Sequence, residues 1–275
     1  MKKIFWLIIP LCLLVFMSPM GITGPAYGAG LIVSLDGSRT GDEDEAGGPR
    51  YLTSTAMANA TQILLDAGFI ISTTDRFLAA NIAEACVLYT GTVATDFTPQ
   101  ELTDVAAFVF GGGGLVLQRD WGSYYPAADP LAAVFSVTYN TGPYGTAGTA
   151  TAVNKTADSP IWNGPAGFVS SYDQIYSSSV SGATAIGVHS SNPDQTALAT
   201  LTYGLGRVVF LTDMDAWDDF GNDAKPLIMP GSENAIVWEN IFEYACNPVP
   251  EPGTIILLGS GLLGLTGWRR FFRKS

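Results

Sequence analysis

Two runs of carboxylates are the residues of this 275-residue chain best placed to do chemistry. One starts at Asp36, at the end of LIVSLDG (31–37), and continues through Asp42, Glu43, Asp44 and Glu45. The other, DMDAWDDFGND, holds Asp213, Asp215, Asp218, Asp219 and Asp223 directly after an apolar run. If the strands before them are parallel members of one sheet, both runs lie at its C-terminal edge, where open α/β sheets place ligands. Converging carboxylates there suit Ca2+, which takes about six to eight oxygens. The candidate cation or ligand site is therefore Asp36, Asp213, Asp215 and Asp218. The second run is not an EF-hand loop: its glycine falls at the ninth position and no glutamate closes the twelfth. A hydrolytic aspartate pair and a merely solvated acidic loop fit the same residues, and the solvated loop is the commonest fate of such a run.

Other reactive side chains are few. His189 is the one histidine, so any imidazole acid–base scheme must use it. It ends an apolar segment in VHSSNPD, where an exposed or capped loop histidine is expected. Ser123 lies in GSYYP, which is not the G-x-S-x-G of a nucleophile elbow. Gly111–Gly114 follow a helical pattern and open a strand, the reverse of a phosphate cradle. They are expected to stop the helix and turn the chain. Trp121, Tyr124, Tyr125 and Trp217 could make a face for sugar rings, but packing is the expectation for them. Export would permit a disulfide between Cys86 and Cys246, whose separation in space the sequence leaves open.

The elements that must position these groups alternate. LIVSLDG, FIIST (69–73), CVLYTG (86–91) and LVLQRD (115–120) are predicted strands. Helical spacing runs from Leu52 to Ala67, with Gly68 placed to end the helix. Thr98-Pro99-Gln100-Glu101 is a capping box with proline at the first helical position. This alternation predicts βαβ units and a mostly parallel sheet flanked by helices. From about Tyr124 to Ser190, Gly, Ser, Thr and Ala dominate, and SVTYN, ATAVN, GFVSSYDQIY and ATAIGVH predict an antiparallel β-rich insertion. A hairpin around Leu205-Gly206 and a helix from Ser232 to Tyr244 complete the body.

The segments TPQELTDVAAFVFGGGGLVLQRD, ADSPIWNG, YGLGRVVFLTD and ENAIVWENIFEYA, in this order, resemble the class I glutamine-amidotransferase-like module. The resemblance implies a flavodoxin-like α/β fold over residues 29–247. Catalytic members carry a cysteine on a sharp turn after the strand that corresponds to 115–120; here Trp121-Gly122-Ser123-Tyr124 follow instead. The nucleophile is absent, so an enzyme is not the first expectation.

The two ends concern location. Met1-Lys2-Lys3, an apolar run to Met17 and the small residues GPAYGAG form a secretory signal peptide over 1–28, with a signal helix and the Sec translocon implied. Residues 248–275 comprise VPEPGT with Pro250, Glu251 and Pro252, an apolar run from Gly253 to Trp268, and a tip with Arg269, Arg270, Arg273 and Lys274. The apolar run spans about 24 Å as a helix, a short transmembrane helix whose basic tip stays cytoplasmic. This tail resembles the PEP-CTERM sorting signal. That resemblance implies processing by an exosortase, an inner-membrane intermediate, and a final place at the surface of a Gram-negative bacterium, in settings of extracellular polysaccharide and biofilm. Between the ends, six of the 13 basic residues are lost, leaving seven against 25 acids and a formal charge of −18. Such a body repels nucleic acid. The leading expectation is a surface or matrix protein with a non-catalytic binding or structural domain; the alternative is an exported hydrolase acting on carbohydrate or ester.

Overall fold

The protein is described by a computed structural model over residues 30–40, 50–120, 126–144, 150–165, 167–174, 177–219 and 226–249. The signal segment and the sorting tail lie outside the described residues. Among the described residues no helix is long and apolar enough to cross a membrane.

Five parallel strands form one half of a nine-stranded sheet. They are β1 (Leu31–Leu35), β2 (Ile70–Thr74), β3 (Val87–Tyr89), β4 (Gly114–Gln118) and the late strand β13 (Gly206–Leu211). Their spatial order is β2-β1-β3-β4-β13, a common order of doubly wound sheets. The sheet then continues as β12 (Asn192–Tyr203), β11 (Thr184–His189), β6 (Thr151–Lys155) and β9 (Ser171–Gln174), each antiparallel to its neighbour. The expected antiparallel insertion is thus largely an extension of the same sheet, and parallel strands make up only its first half. Two small ladders stand apart: β5 (Thr138–Tyr144) with β10 (Ser177–Ser181), and β7 (Asn163–Gly164) with β8 (Gly167–Phe168).

The inner parallel strands β1, β3, β4 and β13 are apolar at nearly every position because both faces are covered, whereas the outer strand β2, IISTT, is partly exposed. Ile32, Val87, Tyr89, Val116 and Val209 face one core, with α1 (Ala58–Asp66) and α5 (Glu233–Cys246). Val33, Leu88, Leu115, Leu117 and Phe210 face the other, with α2 (Ala79–Ile82), α3 (Pro99–Phe110) and α4 (Asp129–Val134). The first helix is shorter than its apolar spacing predicts. A 3-10 turn at Thr55–Met57 precedes it, and Leu52 packs into the core from the loop before that turn.

The capping box of α3 forms, and Glu101 does more than cap. Its carboxylate accepts from the Thr98 N–H at 2.9 Å and from Arg39 Nη1 at 2.9 Å. Arg39 also donates to the Asp96 carbonyl at 3.1 Å, so the loop after β1 is pinned to the helix start. Burial alone would raise the Glu101 carboxyl, but the Thr98 hydrogen bonds and the Arg39 charge hold it below its ordinary value.

At the opposite edge Cys86 and Cys246 form a disulfide with Cα atoms 5.0 Å apart, joining residues 160 positions distant. It lies against the first residue before β1: a Cβ on Gly30 would come within 2.8 Å of Cys246 Sγ. Gly111–Gly114 turn the chain from α3 into β4 as expected, with Gly112 at φ 113°.

Two measurements test these ties. Reduction, or Cys246→Ser, is expected to lower unfolding stability by about 2–5 kcal/mol in chemical denaturation. For Glu101, a depressed folded-state pKa means its stabilisation is present above the unfolded value of about 4.3 and is lost as pH falls through the folded value. The stability gap between wild type and Glu101→Gln should therefore shrink on titration from neutral pH into acid.

Candidate functional site

Asp36 and Asp213 do end parallel strands at one edge of the sheet, as expected. The order β1-β3-β4-β13 puts two strands between them, ~14 Å at ~4.8 Å per strand. Asp36 turns into its own loop instead, accepting from the Ser38 N–H at 2.9 Å and from its hydroxyl at 2.5 Å. It therefore does not join Asp213, Asp215 and Asp218. One cation bound at ~2.5 Å cannot bridge that gap.

Two of the other three aspartates, Asp215 and Asp218, gather around a residue that their own run does not contain. Arg50, the last residue of the first acidic loop, is buried at this edge. Its Nε donates to Asp218 Oδ2 at 2.6 Å, and Asp215 Oδ1 lies 3.7 Å from its terminal nitrogen. Burial works against its charge, but Asp218, Asp215 and Asp120 outweigh that and raise its pKa, so the guanidinium stays protonated. Asp218 is fully buried, and Asp213 is buried with Oδ1 accepting from the Asp215 N–H at 3.0 Å. Asp215, with 20% of its side chain exposed, is the member that reaches solvent. Asp219 accepts from the Asn59 N–H at 3.1 Å, at the start of α1, where helix-end amides favour a carboxylate.

The described members of the second acidic run, Asp213 to Asp219, thus pack into the sheet edge, and Asp223 lies outside the described residues. Arg50 is the positive charge that Asp218 and Asp215 face. Among the described residues no group of three or more His, Cys, Asp or Glu side chains is arranged to hold a metal ion. The turn after β4, where the amidotransferase-like resemblance would place a nucleophile, begins with buried Arg119, whose Nε donates to Asp129 Oδ1 at 3.0 Å. Ser123, Trp121, Tyr124 and Tyr125 lie outside the described residues. Trp217 is a core residue, stacked on Trp238 at 5.1 Å and against Tyr172 at 4.9 Å.

His189 is not the loop histidine expected. It is fully buried at the end of β11, with Nδ1 2.8 Å from the Gln174 amide nitrogen. Burial lowers its pKa, partly opposed by a hydrogen bond to the Ser178 backbone. Its strand belongs to the interior of the sheet, so the polar end of VHSSNPD misled. Arg50 and Arg119 carry a signal that does exist in the sequence: seven cations among 25 acids are expected to be paired.

A separate surface hollow of about 330 Å³ lies beside β6 and β8. Lys155 Nζ sits 4.8 Å from the centre of the exposed Phe168 ring and 2.8 Å from Asp158 Oδ1. Asn163 and Ser159 complete its polar lining.

Residues 248–274 match the PEP-CTERM protein-sorting motif, which marks an exported protein handed to an exosortase through a membrane-anchored intermediate. No curated protein matches the chain in sequence. Solved structures share the fold at low identity. The N-terminal domain of mmIFT52 is 13% identical, with 78% of this chain and 96% of that one covered at a TM-score of 0.57. A cytoplasmic protein, STM1381, from Salmonella typhimurium LT2 is 13% identical over 78% and 98%, at 0.56. A ThuA-like protein from Parabacteroides merdae is 8% identical over 79% and 90%, at 0.55. These likenesses concern the fold alone.

The ionic cluster makes a stability prediction. Arg50→Met leaves Asp218 charged and buried, and is expected to cost about 3–5 kcal/mol in chemical denaturation. Adding Asp218→Leu should restore part of that loss, because the uncompensated charge leaves with it.

Proposed function

We propose that the chain is a surface or extracellular-matrix protein of a Gram-negative bacterium, exported by the Sec route and sorted by an exosortase, whose body binds or scaffolds rather than catalyses. The observation that carries this reading is the sorting tail placed directly behind a disulfide-closed body. The body is assigned a flavodoxin-like, amidotransferase-like scaffold, in keeping with the order of its parallel strands. Its two cysteines are bonded to each other at the N-terminal edge. A reactive thiolate needs an exposed, positively biased turn, and the disulfide offers none. The turn at 121–124, where the resemblance would place the nucleophile, has no cysteine in its sequence.

Polysaccharide is the ligand class proposed, in a biofilm setting. The Phe168 ring offers an apolar face for sugar C–H groups, and Lys155, Asp158 and Asn163 surround it with donors and acceptors for hydroxyls. The competing reading is an exported hydrolase acting on carbohydrate or ester through Asp213 or Asp215.

Expressed beside an active exosortase, the wild-type chain is expected to lose its tail and leave the membrane fraction. Glu251→Ala should remain full-length and membrane-bound, as read by intact mass and fractionation. A wild-type chain that keeps its tail under those conditions overturns the sorting assignment. Turnover of a glycan or ester substrate that Asp213→Asn abolishes overturns the non-catalytic one.

A further inference from the structure

The two outermost strands of the main sheet end it differently. At β9 a side chain closes the ladder. The amide of Asn234, in the first turn of α5, accepts from the Asp173 N–H at 2.9 Å and donates to the Asp173 carbonyl at 2.7 Å. It takes the place of a further strand. At the other side, among the described residues, no strand lies beyond β2. The pairing of β2 with β1 runs in unbroken register from Leu31–Ile70 to Leu35–Thr74. The Ile70 N–H donates to the Gly30 carbonyl at 3.0 Å, and the Thr74 carbonyl accepts from the Asp36 N–H at 2.9 Å. Residues 70, 72 and 74 therefore turn their backbone groups toward β1, and Ile71 and Thr73 turn theirs outward. Sheets guard an open side strand with charge, proline or a bulge. The sequence IISTT and its regular register contain none of these. Ser72 and Thr73 are exposed, and Ile71 and Thr74 half-buried.

We propose that two copies of this chain join β2 to β2, antiparallel, about a two-fold axis at Ser72. The pattern of the strand is complementary to itself. With Ser72 on the axis, Ile71 stands opposite Thr73 of the second copy, and Thr73 opposite its Ile71. Residues so placed exchange both of their backbone bonds, so the outward groups of both strands are satisfied together by about four hydrogen bonds. The same register sets Ile70 beside Thr74 of the second copy, a pair of β-branched side chains of the kind that stabilises sheets. Charge fits as well. Beyond the strand, exposed Arg76 comes opposite Gly68 of the second copy, next to the last turn of its α1. That turn carries exposed Asp66 and no basic residue of its own. A cation beside a helix C-terminus is favourable, and the two-fold supplies one at each end of the paired strands. Because Asn234 closes β9, the pairing uses up the open side of both sheets. It therefore gives a closed dimer rather than a filament. The sorting tail plays no part in it.

The test uses the full chain in detergent, with Cys12→Ser as background and the native disulfide intact. A dimer joined by one strand from each copy lies at the small, transient end of interfaces, so sedimentation equilibrium follows its mass up to ~100 μM. The mass should rise from one chain to two across the series. Thr73→Pro removes an outward donor and spares the bonds to β1. It should weaken self-association about tenfold or more while the far-UV spectrum stays the same. Where the proline disturbs the fold, Thr73→Lys, a charge on an exposed side strand, should do likewise. Cross-linking reads the register. Ser72→Cys brings two cysteines to the axis with Cα atoms about 4.5 Å apart, within disulfide reach. Two copies of Thr73→Cys would stand more than ~7 Å apart, beyond it. On mild oxidation the first should give a covalent dimer and the second none. A chain that stays monomeric across the series overturns the proposal. So does a dimer that survives both Thr73 exchanges, which would put the contact on the tail or another face. Equal cross-linking at 72 and 73 overturns the two-fold pairing.

Discussion

The C-terminal edge of the sheet is held by a buried guanidinium. Arg50 brings together the end of the first acidic loop, Asp120 after β4, and Asp215 and Asp218 after β13. In a body carrying 25 acids, such an edge would otherwise repel itself and open. Placing one cation among several buried carboxylates satisfies the acids but also ties each of them to it. At the C-terminal edge of the sheet, where an open α/β sheet places its crevice, the described residues thus include a buried ionic network. Backbone packing ties Arg50 further: the Thr92 N–H reaches the Arg50 carbonyl, and Gly91 takes a positive φ of 61° where that carbonyl lies close.

Much of this was legible in local chemistry. The capping box at Thr98 predicts α3 because it names its own partners three residues apart, and the structure forms both halves of it. The strands LIVSL and GLVLQ announce themselves because a strand covered on both faces keeps an almost unbroken apolar run. The hairpin expected around Leu205-Gly206 forms one residue earlier, with its turn at Gly204-Leu205. What depended on distant partners was not legible. The short helices α2 and α4 have too few residues to show a period. The antiparallel segments predicted strands but not that they would extend the main sheet. His189 was expected at the surface because its neighbours in sequence are polar, whereas its neighbours in space are Gln174 and Ser178. Arg50 lies 168 positions from the carboxylate it neutralises, and no spacing rule reaches that far.

The same long-range pairing explains why four candidate aspartates became three. Strand direction could be argued from the alternation of elements, and it holds: Asp36 and Asp213 end strands that point the same way. Lateral order could not, because β13 arrives after the whole antiparallel excursion and joins β4 rather than β1. A sheet edge is a line, not a point, and two residues at that line can be strands apart.

The disulfide decides what happens when the protein is pulled. A body held by its C-terminus in moving fluid takes the drag at Val249, three residues beyond Cys246. Without a cross-link that tension would peel α5 from the sheet one turn at a time, starting at its free end. The bond from Cys246 to Cys86 diverts it to the root of β3, between β1 and β4 at the centre of the parallel half. Force enters the fold where neighbouring strands must shear together rather than unzip. The last helix carries almost no load, and the protein resists as a sheet instead of failing as a thread.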